Sequence, residues 1–365
     1  MADSIKCPNC SGNLVFDADR QVMYCDYCMS TFNPSELKNT ILPETDADTN
    51  AGERIRSEKA KTKIRKALGD DGQVFVCNAC GASVVADKNT SATFCAFCGS
   101  PALINQRLTD EFSPDYIIPF EYGKDEAVNK FFKWCKGGRW TPIDFVSKKN
   151  IEKLTGLYVP FWLYNVESSV DIAGEGVSEH SVTVGNTTTV TTSYYQVGRK
   201  SNLAWNKIPL DGATRIDDEL MEAIEPFRYK DMKKFDPVYM QGFFAERYDL
   251  SGDDLKPRLI DRVKKYITQE ISPTVKQYNK SFKVTSDDSV IYEPEMLYAM
   301  LPVWFLHYKY SGKDYYFCMN GQTGEVAGVA PVSWIKRLVL FCSVLAILAV
   351  IARIIIGFIL GGFVG

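Results

Sequence analysis

The chain has 365 residues, with 42 Lys and Arg against 45 Asp and Glu, a formal net charge of −3, and 24% charged residues. This length exceeds one typical domain. A balance so close to neutral argues against a dedicated nucleic-acid binder, which needs a basic surplus, and 45% hydrophobic residues exclude a wholly disordered chain.

The first element is a pair of CxxC knuckles, Cys7 and Cys10 with Cys25 and Cys28, separated by fourteen residues. Two knuckles supply four thiolates, and the excursion between them is long enough for a short hairpin that closes them around one tetrahedral Zn²⁺. Leu14-Val15-Phe16 and Gln21-Val22-Met23-Tyr24 flank a polar turn over Asp17-Ala18-Asp19-Arg20 and read as its strands. Residues 1–33 are therefore expected to form a zinc ribbon. Ser11 and Met29 stand where a glycine would best turn backbone N–H groups toward sulfur, so less regular knuckles are expected. Met1 to Lys6 contains no apolar run, so no signal peptide is expected.

Residues 34–73 read as a linker, polar at first and then basic, with Arg54, Arg56, Lys59, Lys61, Lys63, Arg65 and Lys66 on an expected helix. A solvated spacer is the simplest reading. Anionic headgroups or nucleic acid are the other occupants such a cluster attracts.

Cys77, Cys80, Cys95 and Cys98 then repeat the first spacing, with Ser83-Val84-Val85 and Ser91-Ala92-Thr93-Phe94 as the expected hairpin strands. Residues 74–107 are the second expected ribbon, giving two Zn²⁺ per chain. Disulfides and rubredoxin-like four-Cys iron are the competing readings of such spacing. Modules this small have little apolar core, so metal should supply most of their folding free energy.

Residues 108–331 are expected to form an α+β domain with a weak internal repeat. Tyr158-Val159-Pro160-Phe161-Trp162 and Met300-Leu301-Pro302-Val303-Trp304 share a Pro-x-Trp core, and proline favours a strand start or edge. Gly185-Asn186 predicts a hairpin turn, as do Ser311-Gly312, Asn320-Gly321 and Thr323-Gly324. Ile260, Val263, Ile267 and Ile271 form an apolar stripe on a helix with Pro257 in its first turn.

After a juxtamembrane segment over 332–337, residues 338–365 read as a transmembrane anchor. Leu338 to Leu360 is apolar and long enough to span, and Lys336 and Arg337 on its N-terminal side place the bulk of the chain in the cytoplasm. Eight reduced thiolates agree with that compartment. Arg353 interrupts the stretch, and a broken or re-entrant segment divided there is the alternative to one crossing. Gly357, Gly361 and Gly365 recur every four residues, a spacing suited to helix–helix packing.

Catalytic patterns are missing from the sequence, so no enzyme activity is expected. His180 and His307 belong to no metal or nucleophile motif, and Asp217, Asp218, Glu219, Asp253 and Asp254 read as charges at helix starts. Cys135, Cys318 and Cys342 are single thiols read as packing residues.

The order of ribbon, linker, ribbon, Gly156-Leu157-Tyr158-Val159-Pro160-Phe161-Trp162-Leu163-Tyr164, Ile224-Glu225-Pro226-Phe227, Leu301-Pro302-Val303-Trp304, Asn320-Gly321-Gln322-Thr323-Gly324 and anchor resembles the bacterial TFIIB-type zinc-ribbon membrane proteins of Firmicutes. Some members resemble adaptors found beside PspA-like and SPFH/flotillin-like membrane-stress proteins. The resemblance thus implies a membrane-anchored scaffold recruiting such partners to the cytoplasmic membrane. The alternative is a membrane-tethered nucleic-acid-binding ribbon protein, supported by ribbon type and the basic linker alone.

Overall fold

The computed structural model describes residues 5–37, 72–76, 83–87, 90–94, 101–103, 113–138, 141–142, 145, 154–214 and 216–361. The chain is multidomain and rich in β-sheet, with a Cys-bearing module at its N-terminus, few helices, and one long apolar helix at its C-terminal end. The basic linker and the second set of knuckle cysteines lie outside the described residues.

The N-terminal module folds as β1 (Leu14–Asp17), β2 (Val22–Cys25) and β3 (Thr31–Phe32) in one antiparallel sheet. β1 and β2 form the expected hairpin, with Leu14 opposite Cys25 and Asp17 opposite Val22. Next come β4 (Gly72–Val76), β5 (Ser83–Asp87), β6 (Thr90–Phe94) and β7 (Pro101–Leu103). The domain continues with β8 (Tyr116–Ile117), α1 (Lys124–Gly137), β9 (Thr155–Val184), β10 (Thr187–Asp211), α2 (Asp218–Ala223), β11 (Lys233–Lys234) and β12 (Phe244–Glu246). It closes with α3 (Lys256–Ile271), β13 (Ser281–Asp287), β14 (Val290–Ile291), β15 (Glu295–Tyr310), β16 (Lys313–Asn320) and β17 (Val326–Gly328), before α4 (Trp334–Gly361). Among the described residues the hairpin expected between β5 and β6 is not paired. β5 pairs with β4, and β6 pairs with β7 and with β12, because the domain edge offers it a ladder in which Ala245 stands opposite Ala92.

β9 and β15, the two Pro-x-Trp strands, lie side by side and antiparallel, with Tyr158 opposite Pro302 and Pro160 opposite Met300. Both prolines are interior to their strands, not at a start. Each sits where its strand changes partner along one edge. β9 pairs parallel with β12 at Leu157 and Tyr158 and antiparallel with β10 from Phe161 onward; β15 pairs parallel with β8 at Ala299 and Met300 and antiparallel with β16 from Val303 onward. The proline carbonyls accept from Gly212 N and Gly321 N (both 2.8 Å), the residues that follow the returning strands β10 and β16. A strand residue points its N and O to the same edge, so the absent N–H falls at the gap between partners and leaves no ladder bond broken.

Three apolar clusters pack around this sheet. On one face α3 buries Leu259, Val263, Ile267 and Ile271 against Tyr164, Val166, Val170 and Ile172 of β9. Ile260, expected in that stripe, is 39% exposed: the stripe follows i, i+4 spacing from Leu259, and the next residue is turned about 100° away. α2 lies on the opposite face with Met221 in the cluster of Val159, Phe161 and Leu163, its first turn capped by the Asp217 carboxylate, which accepts from Glu219 N (2.8 Å). Both prominent turns occur as predicted, at Gly185 (φ 62°) and at Ser311-Gly312 (φ 49° and 78°).

The N-terminal module has no separate core. Its Leu14, Phe16, Met23 and Leu37 join Phe120, Tyr158, Phe131, Phe243 and Trp304 of the domain in one cluster. Phe16 meets Tyr239 edge to face at 5.3 Å, its N–H donates to Gln241 O (2.9 Å), Gln21 Nε2 donates to Phe120 O (2.6 Å), and Gly123 N donates to Asp19 Oδ1 (2.7 Å). Phe16 is 3% exposed, so Phe16→Ala should cost about 3–5 kcal/mol. All six Trp lie outside residues 1–37, five of them before α4, so tryptophan fluorescence during denaturant unfolding reads the domain and not the module. We expect its midpoint to fall in this variant; an unchanged midpoint would show that the module does not support the domain.

Candidate metal centre

The hairpin β1–β2 brings the two knuckles together at one end. Cys7, Cys10, Cys25 and Cys28 place their sulfurs within 4.8 Å of one another, with Cys7 Sγ 3.6 Å from Cys28 Sγ and Cys10 Sγ 3.5 Å from Cys25 Sγ. All four are free thiols. A tetrahedral ion with sulfur ligands at about 2.3 Å sets its ligands about 3.8 Å apart, so the cluster is compatible with one metal ion. Its all-sulfur donor set suits a thiophilic metal.

The two knuckles are built alike. Ser11 N donates to Cys7 O (2.8 Å) and Met29 N to Cys25 O (2.9 Å), while Cys7 N donates to Gly12 O (2.7 Å) and Cys25 N to Ser30 O (3.0 Å). Ser11 and Met29 both take φ of 59°, so the turn forms at its cost in strain without glycine, and the irregularity expected from the sequence is absent. The first knuckle carries its glycine one residue later, in a tight space. A Cβ on Gly12 would stand 3.3 Å from both Cys10 Sγ and Cys25 Sγ, inside ordinary contact distance.

Electrostatics distinguish the thiols. The Ser30 hydroxyl, 3.2 Å from Cys28 Sγ, together with the Ser30 backbone N–H, holds the Cys28 thiol down at about 6. Asn9 Nδ2 donates to Ser30 Oγ (3.0 Å), which leaves the hydroxyl proton free to face the sulfur and ties the first knuckle to the second. Around Cys10 the Gly12 N–H acts downward, but desolvation and the neighbouring sulfurs outweigh it and push the thiol up to about 12. Four thiolates at this spacing repel one another until a cation neutralises them. Asn9 and Ser30 were not singled out from sequence, although Ser30 and Gly12 occupy the same place two residues after their knuckles.

Among the described residues the remaining candidates do not gather into a site. His180 is exposed on β9, and His307 is exposed with Nε2 2.9 Å from Asp314 Oδ1. Cys135 and Cys318 are buried in different clusters, and burial pushes each thiol up to about 12. Cys342 is exposed along α4. Cys77, Cys80, Cys95, Cys98 and Gly365 lie outside the described residues. α4 itself carries a 20-residue stretch, Trp334–Arg353, of mean hydropathy 2.4 and with none of it buried, long and apolar enough to cross a membrane.

No family model and no solved structure matches the chain. One relative does, at 32% identity over 335 residues and across 91% of both chains: the uncharacterized protein YdjG of Bacillus subtilis (strain 168). The chain belongs to the YdjG family. Similarity over nine-tenths of both proteins means that the relation is not confined to one module and takes in the β-rich domain.

Two outcomes test the centre. Cys10→Ser should abolish metal binding by these four residues and also lower the domain's unfolding midpoint, because Leu14, Phe16 and Met23 pack between them. Ser30→Ala should raise the Cys28 pKa, since it removes the group that favours the thiolate. Protons then compete better, so metal release on acidification, followed with a chromogenic chelator, should move to higher pH in the variant; a shift to lower pH or none would contradict the role given to Ser30.

Proposed function

We propose that this protein is a membrane-anchored zinc-ribbon adaptor that recruits partner proteins to the cytoplasmic face of the membrane, with one Zn²⁺ in each of two ribbons. The observation that carries the reading is α4: the stretch Trp334–Arg353 has a mean hydropathy of 2.4, runs without a charge from Leu338 to Ala352, and is not buried against the domain, and a surface of that kind requires lipid or protein to cover it. Lys336 and Arg337 at its start favour the cytoplasmic side for everything before it. The metal-closed knuckles support the adaptor half. They hold Tyr27 (84% exposed) and Met29 (67% exposed) outward on a rigid turn, and both residue types are enriched where proteins meet. Partners of the PspA-like and SPFH/flotillin-like kind are those the family resemblance implies.

Truncation before Trp334 should give a soluble chain that keeps its metal, and elemental analysis of anaerobically purified protein should give two zinc per chain. Affinity capture of the tagged full chain in mild detergent, read by mass spectrometry, should recover PspA-like or SPFH-like proteins. Replacing Lys59, Lys61, Lys63, Arg65 and Lys66 by Gln should leave that capture intact, because exposed basic residues contribute mainly screened, nonspecific attraction. Nuclease-sensitive recovery of transcription or replication proteins, lost in the Gln variant, would replace the adaptor with the nucleic-acid reading.

A further inference from the structure

β9 and β10 run together for far longer than the domain needs. Their ladder continues from Asp211 opposite Phe161 out to Thr187 opposite Val184, and residues 181–192 at its end are exposed or half-buried on both faces. The two outer edges of this arm are treated differently. The β9 edge is taken by β14 and β13 as far as Val177, and beyond them the Asn279 side chain closes it in the manner of a peptide group: Glu179 N donates to Asn279 Oδ1 (2.8 Å), and Asn279 Nδ2 donates to Glu179 O (2.9 Å). Lys280 adds an ion pair to Glu179. Among the described residues, β10 pairs with β9 alone, so its outer edge is open.

An open edge normally carries charge, proline or a bulge that discourages pairing with another chain. This one carries none along its outer half. Ser181 to Gly198 contains no Asp, Glu, Lys, Arg or Pro in a chain that is 24% charged, and the register is unbroken from Thr187 to Trp205. Its exposed residues are β-branched and aromatic: Val190 is 56% exposed and Tyr194 79%. These types favour a pleated, half-buried surface.

We propose that the outer edge of β10 from Thr187 to Val197 pairs antiparallel with the same edge of a second copy of this chain, about a two-fold axis through Thr192. An axis perpendicular to the sheet keeps each residue on its own face, so it must pass through a residue and not between two. Placed at Thr192, it sets Val190 opposite the second copy's Tyr194, Thr191 opposite Ser193, Thr189 opposite Tyr195, Thr188 opposite Gln196 and Thr187 opposite Val197. Every apolar residue of the edge then meets an aromatic, a β-branched residue or a threonine methyl. No charge faces another. Moving the axis to Thr191 or Ser193 sets Val190 against Thr192 or Gln196, and the match of valine to tyrosine is lost. The pairing would add about one backbone hydrogen bond per residue pair to groups that now face water.

The test is the mass of the full chain in detergent micelles by sedimentation, across a range of protein concentration. The wild type should associate to two chains per particle. Thr191→Lys with Ser193→Lys sets lysine against lysine twice across the axis and should reduce the particle to one chain. Thr191→Lys with Ser193→Glu sets each lysine against a carboxylate of the other copy and should restore the dimer. The last variant also separates pairing from misfolding, since it carries the same number of substitutions at the same two sites, one exposed and one half-buried. A wild-type monomer, a dimer that survives the double lysine change, or a failure of the lysine and glutamate pair to restore it would each overturn the proposal; the second would place the contact elsewhere, on α4 for instance. None of these results depends on the adaptor reading.

Discussion

The architecture depends on what one strand can bury. β9 runs unbroken from Thr155 to Val184, and its environment changes along its length. From Tyr158 to Tyr164 nearly every residue is buried, because α2 and its neighbours cover one face while α1 and the N-terminal module cover the other. From Val166 to Ile172 alternate residues are buried against α3. Past Val177 the strand is wet on both faces. The composition follows the same gradient, from GLYVPFWLY through ESSVDIAGE to SEHSVTV. Continuous burial, one-sided burial and none are the three states open to a strand, and β9 passes through all of them.

That gradient explains why the N-terminal module is attached and not merely tethered. Two-sided burial at Tyr158 requires a cover on the α1 face, and Phe120, Phe243 and Trp304 supply only part of it. Phe16 and Met23 complete the layer. The module thus gains a core from the domain that its own residues are too few to make, and the domain gains a lid. The four sulfurs sit at the far end of the same hairpin, so metal binding and domain stability become linked quantities.

Much of this was legible in the residues. Knuckle spacing gave the sulfur cluster, the polar turn after Phe16 gave the β1–β2 hairpin, and Gly185-Asn186 gave the arm's turn, because each is a local pattern fixed within a few residues. The missing parts depend on long-range partners. Nothing near Ser83 or Phe94 shows that β5 and β6 will separate, since the ladder β6 joins is offered by β12, some 150 residues later. Pro160 and Pro302 argue locally for strand ends, yet both lie in strand interiors where a change of partner removes the need for an N–H. The docking of the module was invisible for a similar reason. Phe16 in a four-residue strand looks like a ribbon residue, and only Tyr239 and Gln241 across the contact reveal what it covers.

A cysteine module fixed to its domain behaves differently from one on a free linker. The chain of contacts from Cys25 runs through Phe16 and Tyr239 to the Phe120 cluster, on to α1 through Phe131 and Phe317, and to the base of α4, where Lys336 Nζ donates to Thr141 O (2.7 Å). Each step up to α1 is a packed side chain, and the last is a single lysine hydrogen bond to a backbone carbonyl. The knuckle surface bearing Tyr27 and Met29 is therefore held in a set orientation relative to the domain. A surface preorganised in this way pays less to be ordered on any contact than one carried on a flexible linker.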